Sequence, residues 1–147
     1  MSKKEKLLII GGSAGGPSAA ARAKRFNPDL EVIIFEQGQF VSYGSWETPY
    51  YIGDVVKDQK KLVVRTPQQF KEMQDIDVKT EHRVTQIDSK TKRIKVVNLA
   101  QSETQWIPYD KLIIATGAAS IHPPIEGLGL NGVFPLRWMG DAFAIEQ

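Results

Sequence analysis

The chain has 147 residues, 19 of them Lys or Arg against 17 Asp or Glu, a formal net charge of +2 and no cysteine. One domain's length buries a core without staples, and the missing cysteine excludes a disulfide framework, a thiolate metal site and thiol redox chemistry from these residues. Hydrophobic content of 41% with interspersed charge is that of a globular protein and offers no nucleic-acid or membrane surface.

The only local charge excess is Lys3, Lys4 and Lys6, diluted by Glu5. Behind it, Leu7-Leu8-Ile9-Ile10 is too short for a signal peptide or membrane span and runs into Gly11-Gly12-Ser13-Ala14-Gly15-Gly16, so cytoplasmic residence is expected. Small residues continue through Ser18-Ala19-Ala20-Ala21 to Phe26. This pattern predicts a buried strand, a glycine turn and a helix. After the break at Asn27-Pro28-Asp29, Glu31 to Glu36 predicts a second buried strand, completing a βαβ unit.

From Gln37 to Asp58 the composition turns to Gly, Ser and aromatic residues, predicting a loop with a short helix. Thr66-Pro67 is an N-cap followed by proline at the first helical position. Asp77 to Asp88 and Arg93 to Leu99 alternate with period two around a turn at Ser89 to Lys92, and Thr104 to Ile107 completes a predicted antiparallel meander. Lys111 to Ala115 predicts one more buried strand, ending on Thr116-Gly117. The Pro- and Gly-rich tail from Ser120 closes on a helix-like Asp141 to Glu146. The expected sheet is mainly parallel, built from Leu7 to Ile10, Val32 to Glu36 and Leu112 to Ala115, with the meander inserted on one side.

Glycines at the first turn of a βαβ unit make the turn, admit a pyrophosphate to the backbone and let helix pack on strand. Gly11 fills the first position and Gly16 the third, but the middle one falls on Ser13. The helix N-terminus behind them suits a phosphate. Glu36 lies 25 residues beyond Gly11, close to the ~20-residue offset of a carboxylate that binds an adenosine ribose. Plain α/β packing is the alternative reading of the same glycines.

Several segments together, Ile9 to Gly16, Ile34-Phe35-Glu36, Ser42-Tyr43-Gly44-Ser45 with Pro49 to Gly53, Arg65-Thr66-Pro67, Tyr109 to Ala118, and Leu136-Arg137 with Asp141-Ala142, carry a resemblance over essentially the whole chain. It resembles the N-terminal portion of the FAD-dependent pyridine nucleotide-disulfide oxidoreductases, most of all the coenzyme A disulfide reductase, NADH oxidase and polysulfide reductase branch. The resemblance implies an α/β, Rossmann-like FAD/NAD(P)-binding domain with a parallel sheet and an inserted antiparallel β-meander. Residues 1–147 would be the N-terminal segment of the FAD-binding domain, ending before the NAD(P)H-binding domain.

FAD would then rest on Ile10, Gly11, Gly12, Ser13, Ala14, Gly15 and Gly16, on Phe35, Glu36 and Gln37, on Ser45, on the backbone at Val84, and on Ala115-Thr116-Gly117. A small-molecule substrate, coenzyme A-like, would be held by Ser18, Arg22, Arg25, Ser42 and Ser45. Arg22 and Arg25 share a helix face at i and i+3, and a solvated face is their plainer reading. NAD(P)H would be the electron donor in the full-length context, where the family implies a homodimer.

Trp46 stands where the branch carries its redox cysteine. A thiolate passes two electrons through a mixed disulfide, which indole cannot do, so the expectation is a flavoprotein segment with no catalytic residue of its own. Its acceptor would need no protein thiol, oxygen or a quinone-like molecule for example. A non-catalytic nucleotide-binding module or truncated relic is the alternative. Glu47 beside Trp46 reads as a solvated carboxylate or a proton-transfer group. Neither His82, in the meander, nor His122, in the Pro-rich tail, suggests an active-site base. Apolar surface left open by the missing segments leads to an expectation of self-association or marginal stability.

Overall fold

The computed structural model describes Lys4–Glu146; Met1–Lys3 and Gln147, hence the Lys3 charge and the last residue, lie outside the described residues. Two compact units divide the chain, one running through Ser42 and resuming over Arg65–Thr116, the other formed by Tyr43–Val64 and the segment from Gly117 onward.

In the first unit, β1 (Lys6–Ile10), β2 (Glu31–Phe35), β3 (Ile76–Lys79) and β7 (Lys111–Ile114) form a parallel sheet in the order β3-β2-β1-β7. Leu7 pairs with Val32 on one side and with Lys111 on the other. Alternate residues of each strand point to opposite faces, and both faces are covered. Leu7, Ile9, Val32, Ile34 and Ile76 pack with Ala20 of α1 (Gly15–Phe26) and Phe70 of α3 (Pro67–Gln74). Leu8 and Phe35 pack with Ile94 and Val96 of the antiparallel meander β4 (His82–Asp88), β5 (Arg93–Asn98) and β6 (Glu103–Pro108). Double coverage is why β1 and β2 read as unbroken apolar runs. The parallel sheet with an inserted meander is therefore the observed architecture.

The alternating run Asp77 to Asp88 is not a single meander strand: it breaks at Thr80-Glu81, and its first half is β3, a fourth parallel strand beside β2 with Val32 opposite Ile76 and Phe35 opposite Lys79. Alternation is the same on either side of the break, so periodicity could not locate it. Glu81 supplies the turn with a φ of 56°, a left-handed conformation uncommon for a non-glycine residue. At the other end of β3, α3 ends on left-handed Asp75. Its start is a complete capping box: the Thr66 hydroxyl accepts from the Gln69 N–H, and the Gln69 side chain accepts from the Thr66 N–H at 2.8 Å.

In the second unit a single 3₁₀ turn at Ser45–Glu47 leads into α2 (Thr48–Ile52), and a second turn at Gln59–Leu62 was not foreseen from composition. Asp58 caps that second turn through the Lys60 N–H. Helix α4 (Met139–Glu146) starts two residues earlier than expected. Asp141 makes this possible by accepting the N–H groups of Arg137 and Trp138, each at 2.7 Å. Tyr51 of α2 donates its hydroxyl to Glu146, which raises the phenol's pKa above its ordinary value, and its ring meets Phe143 edge-on at 5.6 Å. Ile121, Ile125, Leu130 and Phe134 in the tail are exposed.

Candidate functional site

The carboxyl ends of β1, β2 and β7 meet around the glycine turn. Gly11 adopts a φ of 107°, open to glycine and strained for other residues. A β-carbon there would collide with the main-chain carbonyl of Ala115, and one on Gly16 would collide with the carbonyl of Gly11. Main-chain bonds lock the same residues: Gly11 N–H to Phe35 O and Ala115 N–H to Ile10 O, both 2.8 Å. Gly12 is crowded as well, by side chains, since a β-carbon would lie 2.8 Å from Val41 and 2.9 Å from Glu36. Sequence reasoning assigned it no turn or packing role, because its neighbours come from beyond the βαβ unit or from its far end.

Helix α1 begins directly behind this turn with no side-chain cap and no acidic residue in its first turn. Ala14 and Gly15 are exposed, so unsatisfied N–H groups and the positive end of the helix dipole face outward there. Beside it stands Glu36. Its two carboxylate oxygens accept from the Gly12 N–H and the Gly38 N–H, both at 2.7 Å. Its main chain is pinned on each side of the Thr80-Glu81 turn, the N–H to Lys79 O and the carbonyl to His82 N–H, both at 2.9 Å. A carboxylate has about four acceptor positions, so two remain open on Glu36 after these contacts.

Ile10, Gly11, Gly12, Phe35, Glu36 and Ala115 are thus brought together, and Ser42 joins them through its N–H to Gly12 O at 2.8 Å. Ser13 is half-buried in the turn, while Gln37 and Thr116 are exposed. Val84 packs into the meander-side core that includes Phe35. Ser18, Arg22 and Arg25 are exposed on α1, and neither arginine makes an ion pair among the described residues. Ser45, Trp46 and Gly117 belong to the second unit. There the Ser45 carbonyl accepts the Thr48 hydroxyl at 2.8 Å, Trp46 is 70% exposed and Gly117 has a φ of 68°. Glu47 folds back over Gly44, where a β-carbon would lie 2.8 Å from its carboxyl carbon. No cluster of candidate metal ligands occurs among the described residues, and none of their helices is long and apolar enough to cross a membrane.

Residues 5–147 match the family described as pyridine nucleotide-disulphide oxidoreductase. The chain belongs to this family. Coenzyme A disulfide reductase of Staphylococcus haemolyticus is 38% identical over 144 residues, covering 97% of this chain and 32% of that protein. NADH oxidase of Methanocaldococcus jannaschii is 35% identical over 140 residues, covering 95% and 31%. Among solved structures, reduced CoADR-RHD of Bacillus anthracis superimposes with a TM-score of 0.94 at 34% identity, over 99% of this chain and 26% of that one. The NAD-dependent persulfide reductase of A. fulgidus gives 0.89 at 38% identity, over 95% and 26%. The chain spans about a third of the length of the curated relatives it matches. The family's FAD- and NAD(P)H-dependent oxidoreductases share its Rossmann-like fold.

Proposed function

We propose that this chain is the FAD-binding segment of a flavin-dependent NAD(P)H oxidoreductase resembling coenzyme A disulfide reductase. One observation carries the reading: the Glu36 carboxylate is held on the glycine turn, with acceptor capacity to spare, next to an uncapped helix N-terminus. These groups fit a dinucleotide. The exposed N–H groups at the start of α1 suit a pyrophosphate, the glycines let its oxygens approach the backbone, and Glu36 suits ribose hydroxyls while repelling a 2′-phosphate.

When bound, FAD supplies the two-electron chemistry by which NAD(P)H reduces an acceptor. The chain's own residues bind and orient it: Ile10 to Gly16 at the pyrophosphate, Phe35, Glu36 and Gln37 at the adenosine, Val84 through its backbone, and Ser45 and Ala115 to Gly117 toward the flavin. Ser18, Arg22, Arg25, Ser42 and Ser45 are proposed to receive a coenzyme A-like substrate, with guanidinium groups as donors to its phosphates. Trp46 at the family's cysteine position, in a sequence without any cysteine, supports an acceptor reduced without a protein thiol. The full-length protein is proposed to be a cytoplasmic homodimer.

Titrating FAD into the purified chain and following quenching of flavin fluorescence tests this reading. Saturable binding is expected, weakened about tenfold in Glu36→Ala because hydrogen bonds to a charged acceptor are lost. No saturable binding, or equal affinity in the variant, would sink the assignment.

A further inference from the structure

We infer that His82 is a positioning residue for the adenosine end of the dinucleotide, setting where Glu36 presents its carboxylate; this rests on the dinucleotide reading above. Three contacts carry it. The His82 main-chain N–H donates to the Glu36 carbonyl at 2.9 Å. Its ring packs against Phe35, the residue before Glu36, with centroids 6.4 Å apart and planes tilted by 44°. Its Nδ1 lies 2.6 Å from the Thr80 carbonyl. A carbonyl only accepts, so Nδ1 bears the proton and the ring is held in one orientation by a bond within its own turn.

The turn that His82 closes is the one left-handed at Glu81. Its other ties are Glu81 N–H to Gly38 O at 3.0 Å and Leu99 N–H to Glu81 O at 2.7 Å. Gly38 in turn donates to the Glu36 carboxylate. Glu36 is therefore bracketed from both sides by the Thr80–His82 turn, through its main chain at Lys79 and His82 and through its side chain at Gly38. A left-handed non-glycine residue persists only where its surroundings over-determine it, and the imidazole bond to Thr80 is the side-chain element of that restraint. Loss of the bond frees the turn, and the Glu36 carboxylate loses its fixed aim at the ribose.

The test compares ADP with 2′-deoxy-ADP by calorimetric titration of the full chain. Wild type is expected to prefer ADP about tenfold, the worth of a hydroxyl bonded to a carboxylate. His82→Phe keeps an aromatic ring beside Phe35 but has no donor for Thr80, and its preference is expected to fall below about threefold. His82→Asn can place its amide donor near the former Nδ1 and is expected to retain most of the preference. Thermal unfolding of each variant ensures that all titrations are made on folded protein, and a folded but merely destabilised variant keeps the wild-type ratio. The proposal is overturned if His82→Phe retains that ratio, or if His82→Asn loses as much of it as His82→Phe. Wild-type protein that binds neither nucleotide overturns the dinucleotide reading itself, and binding without ribose preference removes Glu36 from the ribose and this proposal with it.

Discussion

Gly11→Ala is expected to lower the stability of the chain by about 4 kcal/mol, from two costs of about 1–3 kcal/mol each. The first is backbone strain, because alanine must take a φ of 107°. The second is a collision, because its methyl group would run into the carbonyl of Ala115, whose N–H holds β7 to the end of β1. Against a typical total of about 5–15 kcal/mol, such a loss populates the unfolded state. Gly16→Ala separates the two costs. It meets the Gly11 carbonyl but has no left-handed φ, so about 1–3 kcal/mol is expected. Urea denaturation of the three proteins measures both losses. A change under about 1 kcal/mol at Gly11, on the scale of an ordinary helix glycine, would show that the turn relaxes and does not constrain the site.

The second large effect is expected at Lys24, a lysine on α1 that is only 8% exposed. Its ammonium donates to the carbonyls of Pro28 and Leu30, both at 2.9 Å, and to Asp75 at 3.1 Å. These bonds tie α1 to the start of β2 and to the end of α3. Lys24→Met retains the apolar stem but leaves both carbonyls without their donor, so a loss of about 2–4 kcal/mol is expected in chemical denaturation at neutral pH. Asp75→Asn removes only an exposed partner charge and should cost less than about 1 kcal/mol. Equal losses in the two variants would assign the effect to the ion pair and refute the carbonyl account.

The same node has a pH signature. Hydrogen bonds from Lys71 and then Lys24 hold the Asp75 carboxyl at about 2, below its ordinary 3.8. A carboxylate whose pKa is depressed by folding contributes stability that is complete above its unfolded pKa and is lost as pH falls through the folded one. That contribution is therefore expected to fade between about pH 4 and pH 2. Acid unfolding of Lys71→Ala should begin at a higher pH than in wild type, and an unchanged acid transition would count against the pairing.

Much of the site was legible because its residues are neighbours in the chain or related by a short, regular offset. An apolar run, a glycine turn, a helix of small residues and a carboxylate at the end of the next strand mark out a βαβ unit and a candidate nucleotide site without reference to anything distant. The crowding around Gly12 and the contacts of His82 were not legible. Gly12 is crowded by Val41 and Glu36, and His82 bonds through its main-chain N–H to Glu36, more than forty positions earlier. Neither residue differs in type or spacing from a solvated glycine or histidine.

The amino-acid sequence alone specifies most of the strands and helices, since doubly buried runs, period-two alternation, an N-cap followed by proline and glycine turns are local signals. It also determined the family, which needs only the order of those motifs. Long-range packing settles that Ile76–Lys79 joins the parallel sheet while His82–Asp88 joins the meander. It settles, too, that Lys24 is buried while Arg22 and Arg25 on the same helix are exposed. Both outcomes depend on partners far along the chain, β2 for the strand and Asp75, 51 residues away, for the lysine. Long-range pairing and burial are settled by the whole packed structure, where each polar group must find a partner or stay in water.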